Sequence, residues 1–132
     1  MAHITLAITG SIASYKAADL VSSLKKQGHS VSVLMTKAAT DFIQPLTLQV
    51  LSQNLVHLDV MHEPFPDQVN HIQIGKETDL FIVVPATANT IAKLAHGFAD
   101  NMVTATALAL PHFVPKLLAP AMNTKMYDHP AT

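Results

Sequence analysis

The chain has 132 residues, a length that suits one domain with its own continuous core. Hydrophobic residues make up 49% of it and charged residues 13%, with a formal net charge of -1 and no lysine or arginine run; this argues against a nucleic-acid partner and predicts that some apolar surface is buried against other subunits. The lack of cysteine excludes disulfides and thiolate metal sites within these residues and suits a cytoplasmic protein, and with no signal peptide and no apolar stretch near the ~20 residues of a membrane helix we expect no membrane segment.

Apolar spacing divides the chain into alternating strands and helices. Short β-rich runs predict strands, and apolar residues recurring on one helical face predict helices. The prolines of residues 63–67 predict a loop there. The predicted elements, in chain order, are a strand at 4–9, a helix from residue 13 that Gly28 ends, a strand at 31–36, short helices at 37–43 and 46–52, a weaker edge strand at 55–60, a strand at 79–84, helices at 89–96 and 101–110, and a strand at 114–119.

This alternation predicts an α/β fold with a doubly wound parallel sheet. The first strand, helix and second strand form a βαβ unit. Sheets of this kind bind ligands in the crevice beyond the carboxyl ends of their strands. The loops after the first, second, fourth and fifth strands are therefore the candidate functional segments.

The loop after the first strand has the features of a phosphate cradle. Gly10 would let the backbone approach an anion, Ser11 adds a hydroxyl, and the next helix directs its partly positive amino end toward the same place. An ordinary tight turn explains the loop equally well. The three-glycine dinucleotide fingerprint is absent, and the second strand ends in Thr36-Lys37 without an acid for a ribose, which argues against NAD.

Two further loops carry polar groups. Residues 85–90 contain Thr87 and Asn89, which could receive a flat polar-edged ring but more simply cap the following helix. Residues 120–127 follow the last strand and include Asn123, whose amide can bind a carboxylate or carbonyl. The neighbouring Met122, Met126 and Tyr127 are more typical of core or subunit packing.

The eight histidines show no metal-binding spacing, so we expect no metal site. His71 follows the proline-rich segment and could open a helix facing a cleft. A lone histidine is more often structural, and the residue alone does not establish catalysis.

Four motifs occur in an order that is typical of one family. They are Gly10-Ser11-Ile12-Ala13, Asn70-His71-Ile72, residues 85–90 and residues 120–127. With them the whole chain resembles the flavin-containing cysteine decarboxylases. Residues 35–39, Phe42 and residues 45–49 give the greatest likeness to the branch of that family that acts in coenzyme A synthesis.

The resemblance implies a Rossmann-like flavoprotein fold and FMN as the cofactor, with residues 1–132 as a single FMN-binding domain. It implies that His71 is the active-site base and that Asn123 binds substrate. Family members form homotrimers, often assembled into dodecamers, with FMN and substrate bound between subunits. The FMN-binding positions implied are Gly10, Ser11, Ile12, Thr36, Phe42, Thr87, Ala88, Asn89, Thr90 and Ala121.

The implied reaction is decarboxylation of 4'-phosphopantothenoylcysteine to 4'-phosphopantetheine, through oxidation of the substrate thiol to a thioaldehyde that accepts the electrons left by carbon dioxide. In the family the return of the enethiol to a thiol is associated with a cysteine in a carboxyl-terminal substrate clamp. These residues contain no cysteine, so we expect the chain to lack that clamp and to be a shortened form. If it is complete, the expected outcome is weak substrate binding and arrest at the enethiol.

Three alternatives stay open at the level of sequence. One is an oxidative decarboxylase of the carboxyl-terminal cysteine of a peptide. Another is a flavin-binding regulatory subunit that acts by binding a partner protein. A third is a prenylated-flavin synthase, whose first loop usually carries more glycine than Thr9-Gly10-Ser11-Ile12.

Overall fold

The computed structural model describes residues 1–58, 60–61 and 69–132. The predicted loop at 63–67 lies outside these residues. Five strands are present in the described chain: β1 (His3–Ile8), β2 (Ser30–Met35), β3 (Val56–His57), β4 (Leu80–Ala86) and β5 (Lys116–Pro120). The α-helices are α1 (Tyr15–Lys26), α2 (Pro45–Ser52), α3 (Asn70–Glu77), α4 (Ala88–His96), α5 (Met102–Ala109) and α6 (Thr124–Tyr127), with 3-10 turns at Ile12–Ser14 and Ala38–Asp41.

The strands form one parallel sheet in the order β3-β2-β1-β4-β5. This confirms the predicted doubly wound α/β fold. The chain first winds outward from β1 to β3 and then returns to place β4 on the other side of β1, with Ile4 opposite Leu80. The topological switch therefore lies between β1 and β4, where such sheets open a ligand-binding crevice at their carboxyl edge.

Helices cover both faces of the sheet, and each face has its own core. Leu6 and Val33 belong to the cluster under α1 and α2, whereas Leu34 and Phe81 belong to the cluster under α3, α4 and α5. Burial on both faces explains why β1 and β2 are apolar almost throughout rather than alternating. The central strands therefore give a rigid base for the loops at their ends.

Most predicted elements are confirmed, with differences at their ends. Gly28 follows α1 with a φ of +89°, as expected for a residue that ends a helix. The fourth strand continues through Pro85 to Ala86, where we had expected Pro85 to end it, because its paired partner β5 reaches Pro120 beside Ala86. The predicted edge strand at 55–60 is only Val56–His57 in the structure.

The helix α3 was foreseen only as a helix start at His71. Its sequence, Asn-His-Ile-Gln-Ile-Gly-Lys-Glu, contains residues of modest helix propensity and a glycine. Packing explains the helix: a Cβ on Gly75 would lie 3.2 Å from the carbonyl oxygen of Ala109, so α3 and α5 approach closely there. Among the described helices none is long and apolar enough to cross a membrane.

Candidate functional site

An open cleft of about 790 Å³ lies at the carboxyl edge of the sheet beside the switch between β1 and β4. Its volume lies within the range of small-molecule and cofactor sites. The loops after β1, β4 and β5 and the end of the 3-10 turn before α2 contribute its walls. The lining residues are Gly10, Ser11, Ile12, Ala13, Phe42, Thr87, Ala88, Asn89, Ala121, Met122, Asn123 and Met126.

The loop after β1 is held by its own serines. The Ser11 hydroxyl accepts a hydrogen bond from the Ala13 N–H at 3.2 Å, and the buried Ser14 hydroxyl donates to the Thr9 carbonyl at 2.8 Å. These bonds produce the 3-10 turn that precedes α1, so the helix begins at Tyr15 rather than near Ala13. Sequence reasoning missed Ser14, although a serine three residues after a capping serine is a recognisable reciprocal cap.

Gly10 is required by packing as well as by its place in the loop. A Cβ at Gly10 would lie 2.6 Å from the Cβ of Ala38 and 3.1 Å from its carbonyl carbon. The loop after β1 thus rests directly on the turn after β2. The sequence interpretation had assigned this glycine to close approach of a ligand, and the structure adds a contact within the protein that no side chain can share.

The loop after β4 caps α4 and also lines the cleft. The Thr87 hydroxyl accepts from the Thr90 N–H at 3.2 Å, which confirms Thr87 as the capping residue of this helix. Asn89 and Ala88 lie in the first turn and line the cleft. The amino end of α4, with its unpaired N–H groups and partial positive charge, therefore opens toward the cleft and suits an anion.

The loop after β5 places an amide at the third wall. The Ala121 N–H donates to the Ala86 carbonyl at 3.1 Å, which ties this loop to β4. The Asn123 side-chain oxygen accepts from the Lys125 N–H at 2.8 Å, so its amide nitrogen keeps two protons for another acceptor. Met122 and Met126 line the cleft, and Met126 is 49% exposed, so the expected packing in a core does not describe them in this chain.

Thr36 and Thr90 line a second pocket of about 390 Å³ that adjoins the cleft and shares Gly10, Thr87 and Asn89 with it. Lys93 and Asp100 also face this pocket, with 2.6 Å between the ammonium nitrogen and a carboxylate oxygen. The hydrogen bond from Lys93 lowers the pKa of Asp100 below its usual range. This neighbouring pocket is therefore polar and carries charges of both signs.

The apolar part of the cleft is unusually exposed. Ile12 is 82% and Phe42 48% exposed. Two large apolar side chains facing an open cleft cost hydration free energy unless something covers them. They suit contact with a flat ring system.

His71 is in the first turn of α3, as expected, but it is not among the residues that line the cleft. Its Nδ1 atom is buried and has no hydrogen-bond partner among the described residues, which is unusual for a buried polar atom. The adjacent Asn70 bonds instead to Nδ1 of His57 at 2.8 Å, and burial lowers the pKa of His57. The fold therefore brings together Asn123 and eight of the ten implied cofactor positions at the cleft, with Thr36 and Thr90 in the adjoining pocket and His71 apart.

Comparison with known proteins assigns the family. The profile described as Flavoprotein matches residues 1–132. A probable phosphopantothenoylcysteine decarboxylase of Streptococcus mutans is 63% identical over 129 residues, which is 98% of this chain and 72% of that protein.

A longer relative and a solved structure extend the comparison. The coenzyme A biosynthesis bifunctional protein CoaBC of Bacillus subtilis is 48% identical over 98% of this chain, but the match spans only 31% of its length. The crystal structure of the FMN-dependent cysteine decarboxylase SpaF superposes with a TM-score of 0.89 and 28% identity over 99% of this chain and 74% of SpaF. The chain belongs to the Flavoprotein family.

Proposed function

We propose that this chain is an FMN-dependent carboxy-lyase that decarboxylates 4'-phosphopantothenoylcysteine in coenzyme A synthesis. The observation that carries the proposal is the cleft itself: the positions implied for FMN and substrate come from separate loops and converge at the sheet switch. The 63% identity to the Streptococcus mutans relative supports the choice of substrate. A substrate of cytoplasmic metabolism also makes the cytoplasm the proposed location.

The residues present fit FMN. Gly10 and Ser11 on one side and the capped start of α4 at Thr87 on the other offer N–H and hydroxyl donors to a phosphate. Ile12 and Phe42 offer exposed apolar surface to a ring. These polar donors and apolar side chains together suit a phosphorylated ring compound.

FMN, when bound, supplies the oxidation of the substrate thiol that makes loss of carbon dioxide possible. The chain's own residues would position the substrate and manage its protons. Asn123, with its amide nitrogen free to donate, would orient the carboxylate. His71, whose Nδ1 atom has no hydrogen-bond partner within the described part of the chain, would take up a proton as the thiol is oxidised.

A site shared between subunits would explain why His71 is not among the residues that line the cleft of its own chain. We propose a homotrimer, alone or in a dodecamer, in which α3 of one copy faces the cleft of the next. A head-to-tail contact of this kind uses two different surfaces of the chain and closes into a ring. Exposed apolar side chains outside the cleft, including Tyr15 at 60% and Val50 at 67%, are consistent with such burial.

Mixing two inactive variants tests the shared site. His71→Asn and Asn123→Ala should each be inactive alone. Refolded together at equal amounts, they should regain about one quarter of the wild-type rate, because one cleft in four would combine an intact Asn123 with an intact neighbouring His71. If each site lies within one subunit, the mixture stays inactive.

The choice of substrate needs a direct comparison. The chain is loaded with FMN and offered phosphopantothenoylcysteine or a peptide ending in cysteine, and carbon dioxide is measured for each. The proposal predicts release from the first only, and preference for the peptide would establish the oxidative peptide decarboxylase instead. FMN binding without turnover of either substrate would favour the regulatory subunit. His96→Asn, at an exposed histidine, is the control for His71→Asn.

A further inference from the structure

Thr9 joins two of the loops that form the cleft. It follows β1, its side chain is 1% exposed, and its hydroxyl donates to the Pro85 carbonyl at 2.5 Å. The same hydroxyl oxygen accepts from the Thr87 N–H at 3.0 Å. One buried hydroxyl of the loop after β1 thus bonds to the end of β4 at Pro85 and to Thr87, the first residue after β4.

These bonds use the one proton of the Thr9 hydroxyl and one of its two lone pairs. Its one proton goes to a carbonyl and a lone pair goes to an N–H. Because both partners are backbone groups at the end of β4 and just after it, a side chain lacking the hydroxyl would leave a buried carbonyl and a part-buried N–H without their partner. The loop after β4 would then relax toward water or another donor.

The position of these bonds matters for the ligand. Gly10 follows Thr9 directly, and Thr87 both receives the bond and caps α4. The Thr9 side chain therefore connects the two segments assigned to the phosphate, the loop at Gly10 and the start of α4 at Thr87. Ser14 adds a bond to the Thr9 carbonyl, so the backbone of Thr9 is held as well.

We propose that Thr9 is a positioning residue for the cofactor: it sets the spacing between the loop after β1 and the start of α4, without touching the cofactor. This inference rests on the proposed FMN site. It assigns to Thr9 a role beyond stability, because its partners are backbone groups at the end of β4 and at the capping residue of α4.

Thr5, in β1, supplies a matched control for Thr9. Thr5 is buried like Thr9, and its hydroxyl bonds to the Thr78 hydroxyl at 2.6 Å, but it lies at the opposite end of β1. Thr5→Val and Thr9→Val each remove one buried hydroxyl and keep the shape of the side chain. Each variant should lower the urea midpoint, because each leaves a buried polar group without its partner, whereas their effects on the cofactor should differ.

The experiment measures FMN dissociation constants by quenching of flavin fluorescence on the full chain, with urea unfolding of the FMN-free protein in parallel. Thr9→Val should raise the constant about tenfold or more, which corresponds to about 1.4 kcal/mol. Thr5→Val should leave it within about threefold, and Thr9→Ser, which keeps the hydroxyl, should restore binding. Should Thr9→Val fail to fold, Thr9→Ser and Thr9→Ala give the same comparison. Both variants lack the γ-methyl group of threonine, and only Thr9→Ser keeps the hydroxyl.

Two outcomes separate the claims. If wild-type protein binds FMN and Thr9→Val or Thr9→Ala binds it equally well, the positioning role is wrong while the proposed function stands. If Thr5→Val weakens FMN as much as Thr9→Val, the effect is one of general stability and the inference is also wrong. If the wild-type chain binds no FMN, the proposed function itself fails.

Discussion

A methyl group added at Gly10 should disturb both the stability of the fold and the cofactor site. In Gly10→Ala the new Cβ would lie 2.6 Å from the Cβ of Ala38, whereas two such carbons are comfortable at about 3.5–4.0 Å. The loop after β1 and the turn after β2 must therefore separate by about 1 Å. Overpacking of this size costs about 1–3 kcal/mol.

The same displacement moves donors of the proposed phosphate site. Gly10 and Ser11 line the cleft, and a shift of about 1 Å in a binding group can cost as much as 100-fold in function. We expect the FMN dissociation constant to rise at least about tenfold, an effect measured by fluorescence quenching. Urea unfolding should show the loss of stability independently.

A second substitution checks the cause. Ala38→Gly removes the Cβ that the new methyl group would meet, and Ala38 is exposed, so this change alone should cost little. The double variant Gly10→Ala/Ala38→Gly should recover only part of both losses, since the two backbone contacts with residue 38, at 3.1 and 3.3 Å, persist. An unchanged unfolding midpoint and unchanged FMN affinity in Gly10→Ala would refute the reasoning.

Three further substitutions have defined outcomes. Burial lowers the pKa of His57, so protonation of its imidazole opposes folding. The contribution of His57 to stability is present above the unfolded pKa of about 6.5 and is lost as the pH falls below it. His57→Gln should therefore show a smaller drop in urea midpoint than wild type between pH 7.5 and 5.5, about one unit either side of that pKa. Thr87→Ala should lose about 1 kcal/mol in urea unfolding with the cap of α4 and should also weaken FMN binding; unchanged FMN affinity in this variant would contradict the placement of the phosphate. Gly97→Ala should cost about 1 kcal/mol because Gly97 has a φ of +72°, and thermal unfolding should show this with FMN affinity unchanged.

The fold could be predicted because its signals are local. Apolar spacing predicted the central strands and α1, and Gly28 marked the end of α1. The extent of helix α3 could not be predicted, because its stability comes from the close approach of Gly75 to α5, a contact between residues distant in sequence. The exact ends of β4 likewise depend on pairing with β5.

The site was predicted in part for the same reason. Loop residues such as Ser11 and Asn123 could be named from motifs, and the fold brings them to one cleft. The supporting contacts could not be read from sequence, because Ala38 and Thr9 act through neighbours that only the fold supplies. Nor could motifs show that His71 is not among the residues that line the cleft of its own chain.

The central claim is tested most directly by anaerobic mixing of the FMN-loaded chain with phosphopantothenoylcysteine while flavin absorbance and carbon dioxide are followed together. The account predicts bleaching of the flavin with carbon dioxide release, and neither signal with His71→Asn although that variant retains FMN. Tightly bound flavin that stays oxidised in the wild-type protein, with no carbon dioxide formed, would contradict the account.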